Sequence, residues 1–250
     1  MIDRFLYKEN TIETLSDGDL ARILNYRDVI YAFERAIYSS IYTIDYEKQT
    51  FEYVSDNPLF LCGLSVDEVR EMGYAFYFNN VVPEDLDLLL KANKVWLEFF
   101  EKIPLPDKKL YTISYDFHLI NDGNNDILVN HKLTPVFLTD SGKIRKAICI
   151  VSLSTAKCSG NIKILKKGCH QILDYDLKKD RWSSVKKIVL TEREKEIIQL
   201  SIRGFTINEI ASQLFVSPGT VKFHRKNIFA KLDVTNMSQG ILFAANNKLL

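Results

Sequence analysis

Four cationic side chains and one imidazole fall within sixteen residues, SPGTVKFHRKNIFAKL (217–232), with no carboxylate among them. Lysine and arginine at helical spacing offer donors to anionic oxygens and to the acceptor edge of guanine. The chemistry on offer is therefore recognition of a polyanion rather than nucleophilic attack. At about 100° per residue, Val221, Ile228 and Leu232 share one stripe that must face a core. Gly219, Phe223, Lys226 and Ala230 lie opposite, with Lys222 on the shoulder, and Thr220, His224, Asn227 and Lys231 line a flank. The outward glycine and alanine let such a helix come close to a major groove. Lys222 and Lys226, one turn apart, can reach guanine O6/N7 or nearby phosphates, and Phe223 can lie against a thymine methyl. Thr220, His224, Arg225 and Lys231 are placed for phosphate oxygens, which position a helix without reading sequence. Most basic helix faces are simply solvated. Phe223 argues against that here, because a large aromatic opposite the core stripe wastes apolar surface unless something covers it.

The elements that position these residues are marked by helix-start chemistry. Thr191-Glu192-Arg193-Glu194 and Thr206-Ile207-Asn208-Glu209 are capping boxes. Ser217-Pro218 is an N-cap followed by proline at the first helical position, and Thr235 can cap a fourth helix. Gly204 stands where a first helix should stop. These marks predict helices over about 192–203, 207–214, 218–232 and 236–247. Phe215-Val216-Ser217 is then the tight turn of a helix-turn-helix, over a core of Ile197, Ile198, Ile210, Ala211, Leu214 and Val216.

Residues 190–234 resemble the LuxR-type (GerE-type) helix-turn-helix. The resemblance is carried by Leu190-Thr191-x-Arg193-Glu194, Gly204, Glu209-Ile210-Ala211, Leu214, Ser217, Thr220-Val221-Lys222-x-His224 and Lys231-Leu232. It implies an all-α four-helix domain over 187–250 whose recognition helix is 218–232, with Lys222, Phe223 and Lys226 at base-reading positions. The last helix would pair with a second copy on DNA, using apolar residues among Met237, Ile241, Leu242, Ala244 and Ala245.

Upstream the period changes. Residues 1–40 read mostly as helix, SIYTIDYEKQTFEYVSDN as two strands around a turn, and 58–102 as helical. In LYTISYDFHLI (110–120), Tyr111, Ile113, Tyr115, Phe117 and Leu119 share one face, and two further strands follow through turns at NDGNND and Asp140-Ser141-Gly142. Strand pair, helices, then three strands joined by hairpins describes an α+β module with an antiparallel sheet over residues 1–155. Residues 25–155 resemble a PAS domain, through Ile44-Asp45-Tyr46, Tyr53-Val54-Ser55-Asp56-Asn57, Gly63-Leu64-Ser65-x-Asp67-Glu68, Val82-Pro83-Glu84-Asp85-Leu86, Asp122-Gly123, Thr134-Pro135-Val136 and Asp140-Ser141-Gly142-Lys143. PAS domains are sensor or dimerisation modules, so the resemblance implies that this half regulates the other. No cofactor is implied. The Asn-Cys-Arg-Phe-Leu-Gln motif of flavin-binding PAS domains is missing, and Cys62 reads as a core thiol. His118 and His131 fall on strands rather than on a helix that could present a haem ligand. His131 shares a face with Ile127, Val129 and Leu133 and reads as a hydrogen-bonded core histidine. Residues 156–186, between the modules, are basic and read as a linker folded as a hairpin, with Trp182 as an anchor.

The net charge of +1 hides an asymmetry: residues 1–156 carry 16 Lys or Arg against 24 Asp or Glu, and residues 157–250 carry 17 against 8. Opposite signs suit two modules with different partners, the basic one facing a polyanion. Four cysteines without a C-x-x-C pair argue against a disulfide framework or zinc site, and Cys169-His170 alone does not make a metal centre. There is no signal peptide pattern and no apolar run near the length of a membrane span, so a soluble cytoplasmic protein is expected. G-x-x-x-x-G-K-[ST], G-x-G-x-x-G, G-x-S-x-G and H-E-x-x-H are absent, which leaves an enzyme the weakest reading. A phosphorylatable receiver module is disfavoured too, since no buried strand ends in Asp beside an acidic pair near the start. The expected function is a dimeric, sequence-specific transcriptional regulator. The alternative is an adaptor that pairs with other regulators without reading DNA. RNA polymerase and a small-molecule ligand of the PAS-like module are the further partners this reading leaves open.

Overall fold

The computed structural model describes residues 26–250 apart from Asn124 and His170. The expected helix before residue 26 and the Cys169-His170 pair thus lie wholly or partly outside the described residues. The chain divides into two compact units between Val185 and Lys186.

The first unit is built on one eight-stranded sheet. Helix α1 (Tyr26–Ala36) precedes β1 (Ser40–Asp45) and β2 (Thr50–Val54). Four helices follow: α2 (Pro58–Leu61), α3 (Val66–Met72), α4 (Ala75–Asn80) and α5 (Pro83–Glu101). A 3-10 turn (Leu105–Leu110) leads into β3 (Tyr111–Ile120), β4 (Asp126–Leu138) and β5 (Ile144–Leu153). The strand order is β2-β1-β5-β4-β3-β6-β7-β8, and the pairings from β1 to β7 are antiparallel. The first five strands and intervening helices match the expected α+β arrangement.

Strand alternation explains why every residue of β1 is buried. Tyr42 and Ile44 point into the main core with Phe60, Trp96, Phe100 and Phe117, beneath α2–α5. Ile41 points to the opposite face, where it packs with Tyr53 against Ile30 of α1. The core face of β3 carries Ile113, Phe117 and Leu119 as the alternation requires. Its other face hides Asp116, whose carboxylate accepts from Asn130, Ser154 and Asn161 at 2.8–2.9 Å. Burial raises the Asp116 pKa, and those three donors act against the rise.

Residues 156–186 hold more structure than a hairpin linker. They form β6 (Gly160–Lys166), β7 (Gln171–Asp176) and β8 (Arg181–Lys186), and β6 pairs with β3. An unpaired β3 edge would expose a row of free N–H and C=O groups, and β6 covers it. Trp182, expected between the modules, packs inside the first unit, 4.8 Å from the Tyr175 ring and 5.9 Å from that of Phe99.

The second unit is four helices: α6 (Glu192–Ile202), α7 (Ile207–Gln213), α8 (Pro218–Leu232) and α9 (Met237–Asn246). Both capping boxes form, at Thr191/Glu194 and Thr206/Glu209. Gly204 closes α6 at φ +85°, with Phe205 N–H reaching back to the Leu200 carbonyl. The cap of α9 is Asn236, not Thr235: Asn236 is the extended residue and accepts from Gln239 N at 2.9 Å. Thr235 instead meets the Gln239 side chain.

Candidate nucleic-acid interface

Helix α8 is positioned by its buried stripe. Val221 and Ile228 are fully buried and Leu232 nearly so, in a core with Ile197, Ile198, Ile210 and Ala211. Its start is fixed by Ser217, whose hydroxyl accepts from Thr220 N at 3.1 Å and bonds the Thr220 hydroxyl at 2.9 Å. Proline at the first helical position leaves no amide donor unsatisfied there. The reach from α7 is made by Phe215, left-handed at φ +54°, and by Val216 N–H donating to the Ala211 carbonyl.

The face opposite the stripe is open. Gly219, Lys222, Phe223, Lys226 and Ala230 are exposed, and Phe223 leaves 60% of its surface to solvent. Lys222 and Lys226 form no ion pair with the described residues, so their ammonium groups face water. His224 lies beside Phe223, ring centroids 5.7 Å apart, and Arg225 leans over the Phe229 ring at 5.8 Å. Thr220, His224 and Arg225 are half-buried at the shoulders. Six of the seven expected contact residues thus lie on the first three turns of one helix, around an exposed aromatic.

Lys231 stands apart from them. Its ammonium is 2.7 Å from the Glu194 carboxylate on α6, which is 2% exposed and also accepts from Thr191 N at 2.8 Å. Burial alone would raise the Glu194 pKa. The Lys231 ammonium and the Thr191 donors outweigh it and hold the carboxyl below its ordinary value. One carboxylate therefore caps α6 and pins the last turn of α8. The pair leaves no local mark in the sequence, because its members are 37 residues apart.

On α9, Met237, Gly240 and Ala244 turn into the unit's own core, which leaves Leu242 half-buried and Ala245 exposed. Gly240 sits where a Cβ would meet Val234 and Ile228 at 3.7–3.9 Å, ordinary contact distances.

The other candidates lie within the first unit. Cys62 is buried, and burial pushes its thiol up to about 12. His131 is 1% exposed; its Nε2 is 2.6 Å from the Tyr42 hydroxyl, and Nδ1 is buried without a partner. Burial lowers its pKa to about 3, so the imidazole is neutral at physiological pH. Tyr42 in turn bonds Tyr77, and the Tyr115 ring lies 4.8 Å from the imidazole. His118 is half-exposed and shares its Nδ1 and backbone N–H with the Asp85 carboxylate. Among the described residues no cluster of three or more His, Cys, Asp or Glu could hold a metal ion, and no helix is long and apolar enough to cross a membrane.

Known proteins are similar in sequence over this same unit. Residues 188–244 match the family described as bacterial regulatory proteins, luxR family. The CsgBAC operon transcriptional regulatory protein of Escherichia coli (strain K12) is 43% identical over 67 residues, 27% of this chain and 31% of that protein. The transcriptional regulatory protein LiaR of Bacillus subtilis (strain 168) is 34% identical over 108 residues, 43% of this chain and 51% of that one. The chain thus spans about a third to a half of the length of these curated relatives. The solved transcription factor GerE is 41% identical over 24% of this chain and 91% of its own, with a TM-score of 0.24. Residues 188–244 are a helix-turn-helix domain of the luxR family of bacterial regulatory proteins.

Proposed function

We propose that this chain is a sequence-specific, DNA-binding transcriptional regulator that reads DNA with α8. The carrying observation is the outward face of that helix: two lysines one turn apart, without an ion pair among the described residues, flank an exposed phenylalanine opposite a buried stripe. Such a face suits a major groove, where Lys222 and Lys226 reach guanine edges and Phe223 a thymine methyl. Thr220, His224 and Arg225 are shoulders for phosphate oxygens. Lys231 joins them only if it leaves Glu194. The transcriptional roles of the named luxR-family relatives support the reading.

Two copies act together, the outward Leu242 and Ala245 of α9 supplying the pairing surface. The first unit, PAS-like in sequence and strand arrangement, supplies the input, either by sensing a signal or by holding the dimer. The work is done in the cytoplasm, where DNA is accessible.

The test is selection from a random double-stranded DNA pool with the full chain and a 186–250 fragment in parallel. A shared palindromic site is the expected result. No enrichment with either, at moderate salt, overturns the reading in favour of an adaptor. On the selected site, Lys222→Ala or Lys226→Ala should cost roughly 1–3 kcal/mol and relax specificity at one position. Equal losses on all sequences would reassign those lysines to phosphates.

A further inference from the structure

Strands β6–β8 do more than cover the β3 edge. Residues 156–187 carry nine Lys or Arg against three Asp, and the strand directions decide where those charges gather. Strand β6 runs antiparallel to β3, with Lys166 opposite Tyr111 at the start of β3. The β6–β7 turn (167–170) therefore sits beside the 3-10 turn that ends at Leu110, and Lys167 N–H donates to the Leu110 carbonyl at 2.9 Å. Strand β8 returns alongside β7 from the Leu177–Asp180 turn, so it ends at this same rim with Lys186. Lys109, Lys166, Lys167 and Lys186 are thereby brought to one end of three neighbouring elements, and Lys187 follows next in the chain. Asp107 is bonded to Lys166 at 2.7 Å, and Glu98 and Glu101 close the helix whose Phe99 ring lies 5.6 Å from that of Tyr111. Asp140 lies in the β4–β5 turn nearby. Lys109, Lys167 and Lys186 are exposed and form no ion pair with the described residues.

This rim is also where the chain leaves the sheet: residues 187–191 alone separate β8 from α6. Five residues span at most about 17 Å fully extended. That short connection tethers the rim to the helix-turn-helix unit in any arrangement of the two.

We propose that this lysine rim at the end of the sheet is a second DNA-contacting surface, gripping backbone phosphates that flank the site read by α8. The inference rests on the DNA-reading function above and adds an anchor that is indifferent to sequence. Phosphate contacts of this kind release counterions, so they appear in the salt dependence of binding rather than in base preference.

The experiment measures binding of the full chain to a 40-base-pair duplex carrying its selected site, between 50 and 300 mM salt. The test variant is K109Q/K167Q/K186Q/K187Q, and the control is K178Q/K179Q, which removes exposed lysines from the β7–β8 turn at the opposite end of the sheet. Each lost phosphate contact lowers the slope of log affinity against log salt by about 0.9. The rim variant should lose between two and four units of slope and bind at least roughly tenfold more weakly at 50 mM salt. Its preference for the selected site over scrambled DNA should stay unchanged, as should the control's slope. Trimming the duplex to the selected site alone should bring wild type down to the rim variant. An unchanged slope in the rim variant, or an equal drop in the control, overturns the proposal. A wild-type chain that selects no site at all would instead sink the function it rests on, and the proposal with it. An unaltered circular-dichroism melt in both variants separates lost contacts from lost folding.

Discussion

Lys231 has two incompatible uses, and a double-mutant cycle separates them. As a phosphate contact it would need a free ammonium; in the folded unit it is bonded to a nearly fully buried carboxylate. Lys231→Met keeps the stem and removes the charge, leaving Glu194 with the Thr191 donors alone. A hydrogen bond to a charged group contributes about 1.5–3 kcal/mol, so Lys231→Met should destabilise the helical unit by that amount. Glu194→Gln keeps the cap, because the amide oxygen still accepts from Thr191 N–H, and should cost about 1–2 kcal/mol. Because both remove one interaction, the double variant should cost less than the sum, with a coupling of roughly 1–2 kcal/mol.

Amide hydrogen exchange in α6 and α8 reads this unit without interference from the sheet. Protonation supplies an internal check. The folded Glu194 pKa lies below its unfolded value. Its contribution is therefore full above about pH 4.3 and is lost as pH falls through the lower folded value. Lys231→Met should flatten that acid dependence. Unchanged exchange protection together with a DNA-binding salt slope shallower by about 0.9 would refute the reasoning and return Lys231 to the phosphates.

Three further outcomes follow from the same geometry. Phe223→Ala should weaken binding to sites with a thymine methyl more than to the same sites with uracil, and equal losses would remove the methyl contact. Phe215 is left-handed and 96% exposed, so Phe215→Gly should leave the helical unit as stable or more stable by about 0.5–1 kcal/mol in chemical denaturation; a loss would mean the ring packs on something. His131, held near pKa 3 when folded, stabilises the first unit above the unfolded value of about 6.5, and that contribution is lost as pH falls toward the folded value. The free energy of unfolding the sheet should therefore fall by about 1.4 kcal/mol per pH unit below 6.5, a slope that His131→Asn removes.

What could be read from the sequence was local. Capping boxes, the Ser217-Pro218 start and the Gly204 stop act within four residues, so helix limits in 187–250 come out within a residue or two. The Thr235/Asn236 choice shows the remaining uncertainty: both side chains can cap, and only the extended backbone at Asn236 decides between them. The alternation in β3 and β4 was equally plain, and it turned His131 inward. What escaped was non-local. β6 is short, and its pairing partner lies some fifty residues upstream, so Asn-Ile-Lys-Ile-Leu carries a period but no address. The Glu194–Lys231 pair failed to show for the same reason. Phe215 gave no sign of its left-handed backbone, because glycine or asparagine is the residue that would announce one.

The pin at Lys231 narrows how α8 can be used. Fifteen residues make a helix about 22 Å long, yet its last turn is tied to α6 by a buried carboxylate and ends at Asp233, left-handed at φ +51°. The free part is the first two to three turns, where Gly219 presents no side chain and Lys222, Phe223 and Lys226 stand clear. Entry into a groove from that end also directs the positive end of the helix dipole toward a phosphate. On the function proposed above, base reading is therefore confined to a few residues and covers only a few base pairs. A face this small would gain both specificity and strength from repetition along the duplex. That is the physical reason to expect a second copy along the duplex and to expect lysines outside the helix to share in holding the backbone.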